Sequence, residues 1–224
     1  MKRAELAKRI DHTLLGPTAT KAGVRQLCKE AVQYGVAAAC VSPCHVELVR
    51  QCLKDSDVKT CAVVGFPHGM STTDVKAYEA QKAIAAGADE LDMVINVAAL
   101  KEGDYAAVTE DIRAVCAAAA KAPRSVSVKV ILEMALLTDE EKIAGATLAK
   151  AAGAQFVKTS TGFGPGGATA EDVALLRATV GDDMGVKAAG GIRDAETANA
   201  MIEAGASRIG ASRTVSILEA IGAS

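Results

Sequence analysis

Eight short apolar runs, each followed by a segment of helical pattern, fill this 224-residue chain and constrain its fold more than any other feature. Strands that alternate with helices favour a parallel sheet covered by helices. Eight such units in a chain of this length predict an α/β fold, a compact (β/α)8 TIM barrel. The runs are IDHTLL (10–15), VAAACVS (36–42), KTCAVVGFP (59–67), ELDMVIN (90–96), SVSVKVILE (125–133), QFVKTST (155–161), GVKAAGG (185–191) and SRIGAS (207–212).

One domain, residues 1–224, with a short N-terminal helix at residues 2–9, is the expected organisation, because no linker rich in proline or serine interrupts the alternation. A doubly wound open sheet fits the same alternation and is the alternative fold. Hydroxyl side chains predict further helix starts at Thr18 or Thr20, at Thr72 or Thr73, and at Thr138.

Composition limits the partners and the compartment. The chain has 25 Lys and Arg against 27 Asp and Glu, which gives no electrostatic basis for binding nucleic acid or an anionic membrane. The first residues lack the apolar core of a secretory signal, and no run approaches the ~18 apolar residues of a membrane span. The six cysteines form no small-scaffold disulfide pattern, so we expect reduced thiols and a cytoplasmic protein. The oligomeric state is not fixed, and a homodimer is one arrangement that the sequence allows.

Three lysines lie inside runs that otherwise resemble buried parallel strands. Lys129, Lys158 and Lys187 follow one another at two equal intervals of 29 residues. A charged lysine buried among apolar strands loses several kcal/mol of hydration, so each needs a partner or a use. The interval matches one strand, one helix and two turns, which predicts three consecutive strands with the lysines at similar heights. We take this cluster as the predicted functional centre.

Side-chain alternation predicts that Asp92, in ELDMVIN, joins the lysines inside the barrel. A neutral lysine amine condenses with a carbonyl to an imine, and a neighbouring ammonium together with burial lowers the amine's pKa enough to permit this. Asp92 is the candidate for moving the protons. The alternative is a structural ion network that pairs Lys129 with Glu133 and Lys187 with Asp92.

Glycines end the last two strand-like runs, where barrels commonly bind phosphate through backbone amides. Gly190 and Gly191 end one run, and residues 210–212 end the other. Arg193 and Arg213 follow closely and could pair with an anion. A phosphorylated substrate is therefore expected, although the glycines would also serve as turn residues alone.

Two cofactor patterns are weak. Gly162, Gly164 and Gly167 fit G-x-G-x-x-G, the pattern of a dinucleotide site, but the acidic residues at 182–183 precede the next strand instead of ending it. His12, His45 and His68 lie on separate segments, and Cys40-x3-Cys44 supplies only part of a four-ligand zinc site. Neither a nicotinamide cofactor nor a metal is expected.

The motifs KTSTGFG, GVKAAGGIR, ELDMVIN, IDHTLL and GASR together resemble the deoxyribose-phosphate aldolase (DeoC) family of class I aldolases, over nearly the whole chain. The resemblance implies reversible cleavage of 2-deoxy-D-ribose 5-phosphate to D-glyceraldehyde 3-phosphate and acetaldehyde in deoxyribose phosphate breakdown, without metal or organic cofactor. It also implies that Lys158 forms the imine, that Lys187 perturbs it and takes part in proton transfer, and that Asp92 relays protons.

The resemblance implies a set of substrate-binding residues as well. Gly162, Gly190, Gly191, Gly210 and Ser212 match positions associated with the phosphate, with Arg193 beside them; Asp11 and Thr13 match residues near the sugar hydroxyls, and Cys40 matches a pocket-side thiol.

One position departs from the family pattern. Some relatives carry a lysine directly after KTSTG as a phosphate ligand, whereas Phe163 stands there in this chain. Arg193, Arg213 or backbone amides would then carry more of the charge, and some tolerance for non-phosphorylated aldehydes is expected.

Two other functions fit the same residues. A phosphosugar isomerase would use Asp92 and Glu133 as base and acid with no covalent intermediate. A non-catalytic phosphosugar-binding or structural protein would tolerate Lys158→Met. A covalent adduct on Lys158 would contradict both.

Overall fold

The structure, a computed structural model, describes residues 1–222 and closes eight parallel strands into a barrel. Every strand pairs with the next one along the chain, and the last pairs back with the first. This closed barrel confirms the predicted TIM architecture over the open sheet. The strands are β1 (Ile10–Leu14), β2 (Ala38–Val41), β3 (Lys59–Val64), β4 (Glu90–Val94), β5 (Ser127–Ile131), β6 (Phe156–Lys158), β7 (Gly185–Ala189) and β8 (Arg208–Ala211).

Ten helices lie outside the barrel within residues 1–222. They are α1 (Arg3–Ala7), α2 (Lys21–Tyr34), α3 (Val46–Cys52), α4 (Thr73–Ala86), α5 (Val97–Lys101), α6 (Tyr105–Ala120), α7 (Asp139–Ala151), α8 (Ala170–Val180), α9 (Ala195–Glu203) and α10 (Thr214–Gly222). Short 3₁₀ turns precede α3 and follow β5. The predicted final helix extends to residue 224, and its last two residues lie outside the described part of the chain.

The helix starts are capped largely as the sequence predicts. Thr20 Oγ1 accepts a hydrogen bond from Gly23 N (3.2 Å), and Thr138 forms a reciprocal capping box with Glu141. Helix α5 was not predicted, because five residues are too few for a helical apolar period. The Asn96 side chain starts it by accepting a hydrogen bond from the third helical amide.

Strand alternation sorts side chains between two interiors. Along β4, Leu91 and Met93 point outward and join the large apolar core under the helices, whereas Glu90 and Asp92 point into the barrel. A separate small apolar cluster inside the barrel comes from β2 and β3: Ala38, Cys40, Cys61 and Val63. The barrel interior is therefore polar on one side and apolar on the other.

None of the helices within residues 1–222 has the length and apolar character needed to cross a membrane.

A buried ion pair ties two outer helices to the barrel. Lys76 of α4 is fully buried, and its Nζ lies 2.5 Å from Asp111 Oδ2 of α6 and 3.0 Å from the carbonyl oxygen of Val94. Burial raises the pKa of Asp111 although Lys76 opposes this. The pair holds the helices against the end of β4.

Removing one partner of this pair should destabilise the fold strongly. Lys76→Met leaves the Asp111 carboxylate buried without its ammonium, which typically costs ~3–5 kcal/mol of unfolding free energy. Urea unfolding of Lys76→Met and of Lys76→Met/Asp111→Leu measures this, and the double variant should recover most of the loss. The control is Lys101→Met, which removes an exposed pair with Glu141 (3.0 Å) and should cost less than ~1 kcal/mol. Equal costs for the two single variants would contradict the assignment.

Candidate active site

The Asp92 carboxylate lies at the centre of the predicted lysine cluster. Its Oδ2 accepts hydrogen bonds from Lys158 Nζ (2.8 Å) and Lys187 Nζ (2.7 Å). Its Oδ1 accepts from Lys129 Nζ (2.8 Å) and the Cys61 thiol (3.2 Å). All five side chains are buried. The structure thus brings the three predicted lysines and Asp92 together, including the predicted contact of Lys187 with Asp92.

Strand register places the lysines at two heights. Lys158 and Lys187 are register partners on β6 and β7. Lys129 is instead opposite Phe156, two residues earlier on β6, and beside Asp92 on β4. The prediction of similar heights is right for Lys158 and Lys187 and wrong for Lys129, because an equal interval in sequence takes no account of the stagger between barrel strands.

Buried carboxylates neutralise the lysines from below. Lys129 Nζ lies 2.5 Å from Glu90 Oε2, and Lys187 Nζ donates to Asp11 Oδ2. Arg208 joins both carboxylates, at 2.7 Å from Asp11 Oδ1 and 3.2 Å from Glu90 Oε1. Glu90 and Arg208 were not predicted. Glu90 stands two positions before Asp92, so the same alternation would have placed it on the inner face.

Mutual attraction fixes the charge states of these buried groups. Burial favours neutral Asp92, but Lys129, Lys158 and Lys187 outweigh it and hold its pKa well below the usual range. Burial likewise opposes charge on Lys187, yet Asp11 and Asp92 outweigh it and raise the Lys187 pKa. Lys187 therefore stays an ammonium and Asp92 a carboxylate at neutral pH.

Glu133 has a different partner from the one predicted. It does not pair with Lys129; its carboxylate accepts hydrogen bonds from the Thr161 hydroxyl and from Thr161 N (3.3 Å). Glu133 adopts φ 58°, a left-handed conformation that non-glycine residues seldom take. The side chain thereby fastens the loop that follows β6, and it is not among the partners of Asp92.

A cavity of about 490 Å³ opens above Lys158 at the carboxyl ends of the strands. The predicted residues that line it are Thr13, Lys158, Gly162, Gly190, Gly191, Arg193, Gly210 and Ser212, together with Arg213. Gly190 and Gly191 have φ 88° and 78°, so their backbone follows a path that side-chain-bearing residues rarely take. Lys158 is only 3% exposed, and it is the single lysine of the cluster that lines this cavity.

Two predicted pocket residues lie beneath the cavity instead of in its wall. Asp11 and Cys40 are both fully buried. Asp11 is held by Lys187 and Arg208, and its carbonyl oxygen accepts a hydrogen bond from Thr13 Oγ1 (3.0 Å). Because Cys44 is exposed while Cys40 lies inside the barrel, the Cys40-x3-Cys44 pattern does not bring its thiols to one site.

The glycine-rich segment after β6 packs against the rest of the chain. A Cβ on Gly164 would lie 2.8 Å from the Glu133 side chain, and one on Gly167 would lie 2.3 Å from the Gly190 carbonyl oxygen. These two glycines of the G-x-G-x-x-G pattern therefore serve close packing within the barrel rim.

Comparisons with known proteins agree with this geometry. A family model described as DeoC/LacD family aldolase matches residues 6–224. Deoxyribose-phosphate aldolase from Clostridium perfringens (strain SM101 / Type A) is 56% identical over 219 residues, which are 98% of this chain and 96% of the relative. The chain belongs to the DeoC/LacD aldolase family.

Solved structures of DeoC/LacD relatives share the fold closely. A Coccidioides immitis protein is 44% identical to this chain, with a TM-score of 0.94. The match covers 98% of this chain and 87% of the Coccidioides immitis chain. Deoxyribose phosphate aldolase from Aeropyrum pernix, whose structure is described as a unique tetramer, is 37% identical and covers 99% and 92% of the two chains, with a TM-score of 0.91.

This DeoC/LacD member has an aromatic wall at the cavity mouth. Phe163 is 51% exposed and packs edge-to-face on Phe66, with ring centroids 5.4 Å apart. Phe163 and Thr161 also line a second, more apolar cavity of about 610 Å³ over β4 and β5. The side chain at position 163 therefore stands between the two cavities.

The charge network predicts an acid-sensitive fold. The Asp11 pKa is lowered from 3.8 to about 2, because Lys187, Lys129 and Arg208 outweigh the opposing effect of burial. A lowered carboxyl pKa stabilises the fold above the unfolded value, and this stability is lost as the pH falls from about 4 to 2. Between pH 5 and pH 2 the wild type should therefore lose about 2 kcal/mol more unfolding free energy than Asp11→Asn.

Urea unfolding at a series of pH values measures this difference. Asp55→Asn, an exposed substitution, is the matched control and should retain the wild-type fall. An Asp11→Asn profile parallel to that of the wild type would contradict the role of Asp11 in neutralising the cluster.

Proposed function

We propose that this protein is a class I aldolase that reversibly cleaves 2-deoxy-D-ribose 5-phosphate to D-glyceraldehyde 3-phosphate and acetaldehyde through an imine on Lys158. The observation that carries the proposal is the position of Lys158. Its side chain lines the cavity, and its Nζ donates a hydrogen bond to Asp92 Oδ2 (2.8 Å). Family membership and the deoxyribose-phosphate aldolase relatives support the substrate.

Proton transfer begins with the hydrogen bond between Lys158 and Asp92. Lys158 must lose its proton before its nitrogen can attack the aldehyde carbon of the open-chain sugar. Asp92 Oδ2 accepts hydrogen bonds from both Lys158 and Lys187, so this oxygen links the nucleophile to a second ammonium group. We assign Asp92 the relay of protons and Lys187 their donation and recovery.

The adduct of this attack loses the carbonyl oxygen as water, and the protonated imine that results supplies the driving force for carbon–carbon cleavage. Its positive nitrogen accepts the electron pair of the bond between C2 and C3 as the C3 hydroxyl loses its proton, which releases D-glyceraldehyde 3-phosphate. The enamine that remains on Lys158 takes a proton at carbon, and water frees acetaldehyde.

The phosphate end of the substrate is assigned to the wall of the cavity that β7 and β8 form at their carboxyl ends. Gly190 and Gly191 follow β7, and residues 210–212 lie at the carboxyl end of β8, where backbone amides in barrels bind phosphate. Arg193 and Arg213 line the same wall and supply positive charge. Thr13, near the carboxyl end of β1, lines the cavity and is assigned to the sugar side, and Asp11 lies buried beneath it.

Compartment and assembly stay predictions. Six free thiols, buried or partly exposed except for Cys44, support a reducing cytoplasm. A homodimer remains allowed, and the tetramer described for the Aeropyrum pernix relative is a second arrangement to test by light scattering.

Borohydride trapping tests the imine directly. Incubation with acetaldehyde and sodium borohydride should fix a two-carbon adduct on Lys158, because reduction converts the imine to a stable amine. Peptide mass spectrometry locates the adduct, and Lys187 in the same protein is the internal control because it contacts the same carboxylate oxygen. Lys158→Met should lose the adduct and at least about a thousandfold of kcat. An adduct spread over surface lysines, together with turnover of deoxyribose 5-phosphate retained in Lys158→Met, would contradict the imine and favour the alternative function of a phosphosugar isomerase.

Phe163 should control the preference for phosphorylated substrates. Phe163→Lys adds an ammonium at the cavity mouth, and a charged hydrogen bond to phosphate is worth ~1.5 kcal/mol, or about tenfold in affinity. We expect KM for deoxyribose 5-phosphate to fall about tenfold while KM for deoxyribose stays unchanged. Phe163→Leu is the control for lost ring packing on Phe66. An unchanged ratio between the two substrates would contradict this role.

A further inference from the structure

Two thiols face each other inside the barrel, next to the Asp92 carboxylate. Cys40 of β2 and Cys61 of β3 are register partners on adjacent parallel strands, and both are fully buried. Both belong to the small apolar cluster inside the barrel. The aldol chemistry assigned above uses neither sulfur as a reacting atom.

The backbone spacing permits a covalent bond between these sulfurs. Neighbouring strands lie ~4.8 Å apart, and disulfides join residues whose Cα atoms are ~4.4–6.8 Å apart. The two Sγ atoms and an Asp92 carboxylate oxygen all lie within 4.8 Å of one another. Rotation of the two side chains is therefore the motion that would bring the sulfurs together.

The two thiols differ in a way that suits stepwise oxidation. The neighbouring Cys61 side chain and the Lys187 and Lys158 charges lower the pKa of Cys40, and together they outweigh burial and the Asp92 carboxylate. Burial raises the pKa of Cys61 well above its ordinary value. Cys40 therefore has the character of an attacking thiolate, and Cys61 that of the resolving thiol.

A metal ion is a poorer occupant of this site than a neutral oxidant. Cys40, Cys61 and Asp92 have the spacing of metal ligands, but Asp92 already accepts hydrogen bonds from three ammonium groups. A divalent cation would have to displace them or stay beside them, at a large electrostatic cost. Hydrogen peroxide is neutral and little larger than water, so this cost does not apply to it.

We propose that Cys40 and Cys61 form a redox-active dithiol that peroxide converts to a disulfide, and that this modification switches the enzyme off. The Cys40 thiolate attacks one peroxide oxygen, which gives a sulfenic acid and hydroxide. The Cys61 thiolate then attacks the Cys40 sulfur, forms the S–S bond and releases hydroxide, while the Cys61 proton neutralises it to water. Peroxide is reduced and the two thiols are oxidised. Leu15 lines the cavity and packs on the dithiol cluster, so it marks the route inward.

The disulfide reaches the chemistry through Asp92. It removes the thiol hydrogen that Cys61 donates to Asp92 Oδ1 (3.2 Å) and draws the sulfur away from Lys129 Nζ (3.5 Å). Because Asp92 holds Lys158 and Lys187 through its other oxygen, loss of this donor disturbs the proton relay. This consequence rests on the proposed aldolase function, whereas the disulfide itself does not.

The test uses Cys44→Ser, which leaves Cys40 as the only thiol of tryptic peptide 30–50. The reduced protein is exposed to hydrogen peroxide, its thiols are blocked with N-ethylmaleimide, and peptides are mapped by mass spectrometry. We expect a disulfide between peptides 30–50 and 60–76, with deoxyribose 5-phosphate cleavage falling at least about tenfold as the crosslink accumulates. Dithiothreitol should remove the crosslink and restore the rate in parallel.

Cys61→Ser is the matched variant, compared with its own untreated activity. It should form no such crosslink and show no thiol-reversible loss. An absent crosslink in Cys44→Ser, a crosslink only between peptides 26–29 and 51–54 that carry Cys28 and Cys52, or a crosslink that leaves the rate unchanged would overturn the proposal. Reduced protein with no aldolase activity would instead refute the proposed function, and the crosslink would still report on the dithiol.

Discussion

The Asp92 carboxylate, buried inside the barrel and bonded to three ammonium groups and a thiol, is the interaction on which the site depends. An isolated charge in this interior would lose several kcal/mol of hydration, so no member of the network is stable without the others. Glu90, Asp11 and Arg208 extend it downward until the charges nearly balance. The polar interior is therefore a structural core as well as a reaction centre.

Within this network the role of each side chain follows from how far below the cavity it lies. Lys129 lies low, outside the lining of the cavity, and pairs with Glu90 and Asp92, which suits a structural charge. Lys187 and Asp92 lie between it and the cavity, fully enclosed yet in contact with the nucleophile. Lys158 alone reaches the cavity. A substrate carbonyl therefore meets one amine, and the charged groups that surround that amine remain shielded from solvent.

The sequence predicted the barrel and the meeting of the lysines because both depend on periodicity: alternation of elements for the barrel, alternation of side chains for the cluster. It did not predict quantities that arise only when the strands close. The lower position of Lys129 depends on strand stagger, and the left-handed Glu133 depends on the loop after β6. Arg208 begins a short strand with little pattern of its own. The burial of Asp11 depends on partners about 180 to 200 positions away in the chain.

The junction between β1 and β8 has a consequence for how the chain folds during synthesis. Asp11 is synthesised first. Its partners Lys187 and Arg208 lie 176 and 197 positions later in the chain, so they are synthesised near the end. Until then the early strands carry acidic groups that favour water over a closed interior. An unpaired Asp11 carboxylate therefore opposes closure of the interior until the last strands are present. Lys187, which is assigned to proton transfer, is thus also one of the two partners that make this closure favourable.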